Sequence, residues 1–347
     1  MIRKIIMAFT VLLLLATPAA AMEITAPDVP DSAKEYLPDA PETFAEGLMT
    51  VLTEAVKKLQ PAIAEAAGVC VCVVAVVILI SVVQALPGSS ERVVRLVGVL
   101  AITALLLQPS HSLIHLGTHT VQELSEYGKL LLPVMTAAVA AQGGTTTSAA
   151  LYTGTAFFDT LLSTMISSLI IPMIYIFLCL SAANCAAGEE PLGKLKDFVK
   201  WLMTWSLKTV LYVFTGYIGI TGVISGTTDA VAVKATKLTI SGMVPVVGSI
   251  LSDASETVLV SAGVVKNAAG IYGVLAILAV WIGPFVQIGV QYLLLKLTAS
   301  VCDVFGSKQV VKLVHDFSRG MGLLLAMTST VCMLLLISTV CFMKGMG

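Results

Sequence analysis

The sequence predicts an all-α polytopic membrane protein, with about six long transmembrane helices and two short proline-broken segments that are re-entrant or interfacial. Of its 347 residues, 57% are hydrophobic and 12% are charged, whereas a soluble globular chain carries about 25% charged residues. Several apolar runs approach or exceed the roughly 20 residues that a helix needs to cross a bilayer. The net charge of −1 provides no basic footprint for nucleic acid.

The N-terminal residues have the order of a secretory signal peptide. Arg3 and Lys4 precede an apolar stretch, and Ala19–Ala21 supplies the small residues of a cleavage site. This pattern predicts a cleaved signal peptide over residues 1–21 and a mature N-terminus outside the cytoplasm. An uncleaved anchor is the alternative, and it gives the same sidedness.

An extracytoplasmic arm is predicted next, over residues 22–67. Its beginning, Glu23–Glu46, is acidic and rich in proline, and the first half of this stretch is expected to be extended and mobile because it buries little apolar area. Apolar residues then recur at three- and four-residue steps from Phe44 to Leu59, which predicts an amphipathic helix. That helix lies on the outer membrane surface, on a partner, or on the protein's own membrane domain.

The remaining residues, 68–347, form the predicted membrane domain with six spans. In order, the spans are Gly68–Leu86, Val93–Gln108, Ala156–Ala186, Trp201–Gly226, Ala268–Leu297 and Gly320–Phe342. The third and the fifth are long and contain Pro172 and Pro284, so tilted or kinked helices are expected there.

The distribution of lysine and arginine predicts the topology. These residues are denser in three loops on one side of the spans, which are Pro87–Arg92, Ala187–Lys200 and Lys296–Arg319. The positive-inside rule assigns such loops to the cytoplasm. This assignment agrees with the signal peptide, which independently places the mature N-terminus outside.

Two outer segments are apolar but interrupted by proline or glycine, and they are Tyr127–Gly144 and Ser241–Asp253. Non-helical backbone at membrane depth is tolerated only against protein or a wet cavity, and paired broken helices point to a transport path. We therefore hypothesise paired re-entrant helices, with interfacial caps or complete spans as the alternatives. The candidate pore or gating residues are Pro133, Gly242, Pro245 and Gly248.

Two proline pairs and one lysine pair share an offset of 112 positions (245 − 133), which favours a parallel internal repeat with halves 127–226 and 239–342. The pairs are Pro133 and Pro245, Pro172 and Pro284, and Lys200 and Lys312. Both halves enter the membrane from the same side in this hypothesis, as expected for an axis along the membrane normal.

Polar residues within the predicted spans are few, and ionisable residues at membrane depth are functional candidates. Asp159 lies near the outer end of the third span, and Gln287 and Gln291 lie four residues apart on one face of the fifth. The two glutamines either hydrogen-bond a neighbouring helix or line a polar path.

The sequence predicts no enzyme, no metal site and no cofactor. His111, His115 and His119 recur every four residues, but no carboxylate has the zinc-hydrolase spacing. Because Pro109 and Gly117 disturb the helical pattern, we interpret the three histidines as polar residues of an outer loop. A phosphate-binding loop is also missing, so any energy source lies in a partner.

Three stretches resemble the stage III sporulation protein AE family. They are YGKLLLPVMTAAVAAQGG, SGMVPVVGSILSDASETVLVSAGVVKNAAG and DVFGSKQVVKLVHDFSRGMGLLL. The resemblance covers essentially the whole chain after the signal peptide. It supplies no catalytic residues to transfer.

This resemblance implies a multi-pass protein of the mother-cell (outer forespore) membrane in an endospore-forming bacterium. It implies partners among the other proteins of the stage III sporulation A operon, together with a forespore-side membrane partner. The implied role is in a channel or secretion-like complex that supports late forespore gene expression. Two alternatives remain, a stand-alone small-molecule secondary transporter and a scaffold that recruits the ring proteins of the complex.

Overall fold

The computed structural model describes residues 27–37, 43–87, 90–187, 190–243, 248–305 and 308–344. Side chains are described for the same residues except 190–191 and 222–268. Residues 1–26 lie outside this part of the chain, so the signal peptide stays a prediction.

The described residues form helices and no strands. A four-residue helix, α1 (Asp31–Lys34), precedes the long helices. These are α2 (Phe44–Gln84), α3 (Glu91–Ala141), α4 (Thr145–Met165), a π-helical turn (Ile166–Ile170), α5 (Ile171–Ala187), α6 (Glu190–Met243), α7 (Gly248–Phe305) and α8 (Lys308–Lys344). The π-helical turn ends two residues before Pro172, where the sequence predicts tilting or a kink.

Five stretches within the described residues are helical, long and apolar enough to cross a membrane. They are Phe44–Gln84, Glu91–Ala141, Thr145–Ala187, Ala269–Phe305 and Lys308–Lys344. They correspond to five of the six predicted spans. The sixth, Trp201–Gly226, lies in α6 and extends into residues 222–268, whose side chains are outside the described part. The all-α polytopic membrane fold is confirmed.

The segments with dense basic residues meet at one end of the helix bundle. Ser81 near the end of α2 hydrogen-bonds the carbonyl of Phe305 at the end of α7. Lys196 near the start of α6 contacts Asp316 near the start of α8. With Thr145–Ala187 taken as one continuous stretch, consecutive long helices therefore alternate in direction, as the sequence-based topology requires.

Helix α3 continues through Pro109 and Pro133 without interruption. Here the structure differs from the expectation that Tyr127–Gly144 is a separate broken segment, because residues up to Ala141 belong to the helix that begins at Glu91. A proline inside a helix removes one hydrogen bond. Around Pro133 that loss is offset by packing, since Leu131 and Leu132 are at most 3% exposed.

Residues 27–37, hereafter the strap, pack against the bundle rather than extending from it. Four apolar side chains of the strap are at most 6% exposed, and they are Val29, Ala33, Tyr36 and Leu37. The hydroxyl of Ser32 donates a hydrogen bond to Glu123 on α3 at 3.0 Å. For these residues the expectation of a mobile arm is wrong, because four apolar anchors suffice to dock the acidic, proline-rich stretch.

The predicted amphipathic helix forms the first turns of α2. Gly47, Val51 and Ala55 are buried on one face, so this face packs on the protein's own helices. Of the three surfaces that the sequence left open for this helix, the structure therefore selects the protein's own membrane domain.

Candidate functional site

A cavity of about 780 Å³ lies between α2, α3 and α7, and part of its wall comes from the strap. Gln287 and Gln291 of α7 both line it. The lining also includes Gln108 and Ser112 of α3 and Glu65 of α2. The volume falls within the roughly 300–1,000 Å³ of small-molecule sites.

Helical spacing brings these polar side chains together. Residues four apart lie on the same face of a helix, which holds for Gln287 with Gln291 and for Gln108 with Ser112. Gln291 is only 5% exposed, and no hydrogen bond joins its side chain to another described residue. Of the two roles predicted for the glutamines, their position on the cavity wall favours the lining of a polar space.

Two helix-interior prolines lie at the cavity, and one of them leaves a backbone acceptor there. Pro61 in α2 and Pro109 in α3 both line it and lie inside their helices. Proline has no N–H, so the carbonyl four residues earlier loses its usual helical donor. For Pro109 that carbonyl belongs to Leu105, which also lines the cavity.

The strap closes one side of the cavity through Glu35 and Tyr36. Glu35 forms an ion pair with Lys58, whose Nζ lies 4.3 Å from the centroid of the Tyr36 ring. The ring also lies against Gly283, where a Cβ would come within 2.8 Å of the tyrosine Cζ. Burial raises the pKa of the Tyr36 phenol above its ordinary value.

Asp159 belongs to a second buried polar cluster, between α3, α4 and α8. Its Oδ2 accepts a hydrogen bond from Ser125 at 2.6 Å, and beside it the hydroxyls of Thr155 and Ser338 are 2.5 Å apart. Asp159 is 3% exposed, and its Oδ1 has no hydrogen-bond partner among the described residues. Ser125 is nine positions (125 − 116) from Leu116, the nearest α3 residue of the cavity lining. This spacing is about 14 Å along the helix, so the cluster is separate from the cavity.

The structure adds a buried ion pair that the sequence analysis did not identify. Lys196 Nζ lies 2.6 Å from Asp316 Oδ2, with side chains 2% and 0% exposed. Arg319 Nη1 holds the other oxygen, Asp316 Oδ1, at 2.9 Å. The sequence places Lys196 only in a basic loop. Its spacing of three and seven residues from Val199 and Met203, which are buried on α6, puts it on the same buried helix face.

The other candidate residues fall partly outside the described part of the chain. Pro133 lies within α3. Gly242 and Gly248 lie among residues 222–268, whose side chains are not described, and Pro245 lies in the undescribed stretch 244–247. The role of these four residues in a pore or gate stays a prediction.

The three histidines lie on α3, so their assignment to an outer loop is wrong; the helix tolerates Pro109 and Gly117. His111 Nδ1 lies 2.8 Å from the hydroxyl of Tyr175 on α5, and His119 lies 3.4 Å from Glu123. Within the described ranges, no group of three or more potential metal ligands occurs.

Long apolar helices in alternating directions, joined by a few buried polar contacts, define an all-α multi-pass membrane protein. The model of the family stage III sporulation protein AE matches residues 33–345, and the chain therefore belongs to that family. The stage III sporulation protein AE of Bacillus subtilis (strain 168) is 22% identical over 234 residues, which make up 67% of this chain and 59% of the relative. The aligned part thus spans about three fifths of that relative's length. No solved structure matches the chain.

Proposed function

We propose that the protein is an integral membrane component of the channel or secretion-like complex that links mother cell and forespore during sporulation. In this proposal it lies in the mother-cell (outer forespore) membrane and is needed for late forespore gene expression. Its partners are other proteins of the stage III sporulation A operon and a forespore-side membrane protein, and it acts without catalysis or a cofactor. The observation that carries the proposal is the family match over residues 33–345.

The strap and the basic segments lie at opposite ends of the bundle, and this arrangement supports an extracytoplasmic strap. Ser32 of the strap bonds Glu123, which is 32 positions (123 − 91) along α3 from Glu91, or about 48 Å. The basic segments meet at the Glu91 end. Under the positive-inside rule, the strap then faces the space between the two membranes, where the ring proteins of such a complex lie.

The proposal is tested by deleting the gene in its spore-forming host and restoring the tagged chain. We expect a late forespore reporter to fail in the deletion strain and to recover with the chain, while an early forespore reporter stays unchanged as the control. Cross-linking in sporulating cells is expected to capture proteins of the same operon. Normal late expression in the deletion strain would contradict the proposal.

A stand-alone transporter is the second candidate, and the buried carboxylate of Asp159 is the observation that favours it. We expect Asp159→Asn to retain the late forespore reporter within about twofold, because asparagine keeps the shape and still accepts from Ser125. Ser125→Ala serves as the matched control for loss of the hydrogen bond alone. If Asp159→Asn abolishes the reporter at an unchanged protein level, the charge itself is required and the transporter gains support.

A further inference from the structure

The cavity between α2, α3 and α7 offers several hydrogen-bond acceptors with unused capacity, beside the N–H donors of its three glutamines. Glu65 lines the cavity and makes no ion pair with any described residue. Lys58 is the basic side chain in the lining, and it is already paired with Glu35. The carbonyl of Leu105 lacks its helical donor because of Pro109.

Gln291 provides an independent indication of a ligand. Its side chain is 95% buried (100 − 5) at the cavity wall and is not hydrogen-bonded within the described residues. The amide of Gln291 therefore has unused hydrogen-bonding capacity at the cavity wall. A ligand that donates a hydrogen bond to the amide oxygen uses that capacity.

We propose that this cavity binds a small organic ammonium compound and that the strap is its lid. Glu65 supplies the counter-charge, and the amide oxygens and the Leu105 carbonyl accept the N–H donors of the ligand. An anionic ligand is disfavoured because the lining carries two carboxylates, Glu35 and Glu65, against one ammonium, Lys58. The volume of about 780 Å³ limits the ligand to a small molecule.

The lid is the wall formed by Glu35 and Tyr36. Tyr36 is held between Lys58 and Gly283, and the Glu35–Lys58 ion pair fastens the strap to α2. The Glu35–Lys58 ion pair is partly exposed, so it stabilises the closed strap by only about 1 kcal/mol or less. Opening also requires Tyr36, which is 6% exposed, to leave its buried position.

Cysteine modification of the purified full-length protein tests the charge preference. Ser112→Cys is placed on the cavity wall and Thr53→Cys on the exposed face of α2 as the control, with Cys72, Cys179 and Cys341 replaced by serine. Rates are measured with 2-aminoethyl methanethiosulfonate, a cation, and with 2-sulfonatoethyl methanethiosulfonate, an anion. We expect the ratio of the modification rate with the cation to that with the anion to be about tenfold higher at Ser112→Cys than at Thr53→Cys. One nearby carboxylate produces a preference of about this size.

Adding Glu65→Gln is expected to bring the ratio at Ser112→Cys close to that at Thr53→Cys. Butylammonium chloride is expected to slow modification at Ser112→Cys, whereas butanol at equal concentration with matched NaCl leaves the rate unchanged. Equal ratios at the two positions, or no effect of Glu65→Gln, would overturn the ammonium site.

The lid is tested with two substitutions of one residue. Tyr36→Ala is expected to speed modification of Ser112→Cys by both reagents at least fivefold, while Tyr36→Phe keeps the ring and leaves the rates unchanged. Thr53→Cys should respond to neither. Unchanged rates with Tyr36→Ala would show that the strap does not control access.

Discussion

Replacing Asp316 with asparagine is expected to lower the free energy of unfolding by about 3–5 kcal/mol, because the change leaves a buried charge without its partner. The Lys196 ammonium, 2% exposed and 2.6 Å from Asp316, then has no counter-charge among the described residues. The loss appears as a lower midpoint of thermal unfolding and as less monodisperse protein after detergent extraction.

The converse substitution, Lys196→Met, is expected to cost less than Asp316→Asn. Arg319 still holds Asp316 at 2.9 Å and is itself 48% exposed, so the remaining carboxylate keeps a solvated partner. The double variant Lys196→Met with Asp316→Leu is expected to recover much of the loss, since an apolar pair of similar volume replaces a buried ion pair at little cost.

Lys200→Met, one helical turn from Lys196, is the matched control and is expected to change the unfolding midpoint little. Equal losses for Lys196→Met and Asp316→Asn would contradict the role given to Arg319. The double variant removes both buried charges. If it is less stable than Asp316→Asn alone, the unpaired charge of Lys196 does not explain the loss of stability in Asp316→Asn.

The Lys196–Asp316 ion pair shows that local composition does not predict whether a charged residue is buried. Lys196 lies in a stretch dense in lysine, which the topology rule correctly uses to assign sidedness but which says nothing about burial. Helical phase supplies the missing signal, because Lys196, Val199 and Met203 recur at three- and four-residue steps. Asp316 is likewise in phase with Leu313 and Gly320, which are buried on α8. The identity of the partner still depends on which helices pack together, and periodicity does not determine that.

Proline has different consequences in different parts of this chain. The sequence predicts an interruption at Pro133, yet α3 continues because neighbouring helices cover its apolar face. At Pro109 the same residue type removes the usual helical donor of the Leu105 carbonyl, and Leu105 lines the cavity. Local propensity alone cannot separate the two outcomes, since both depend on what packs against the helix.

The sequence identifies the individual polar candidates, but it does not predict which other side chains surround them. Spacing correctly placed Gln287 and Gln291 on one face of α7, and the apolar surroundings marked Asp159 as unusual. The side chains that surround these residues come from α2, α3 and the strap, which are distant from them in the sequence. Composition alone made the strap a mobile arm, although the docked Tyr36 forms part of the cavity wall.

Gly154→Leu is expected to destabilise the contact between α4 and α6. A Cβ at Gly154 would lie 2.7 Å from Cζ and 2.8 Å from Cδ1 of Tyr217, closer than real carbon atoms approach. Tyr217 cannot withdraw freely, because its hydroxyl donates to the carbonyl of Ala150 at 3.0 Å. Small residues permit such close helix packing in membranes, and overpacking typically costs about 1–3 kcal/mol.

The matched control for this substitution is Gly216→Leu on α6, where a Cβ meets no atom within 4 Å. Both glycines lie within helices, so the gain in helix propensity is common to both, and the difference in unfolding midpoint isolates the steric term. Adding Tyr217→Ala to Gly154→Leu is expected to restore part of the stability, because it removes the ring that the leucine meets. If Gly216→Leu lowers the midpoint as much as Gly154→Leu, helix packing at Tyr217 does not explain the loss. If Tyr217→Ala gives no rescue, the strain lies elsewhere along α4.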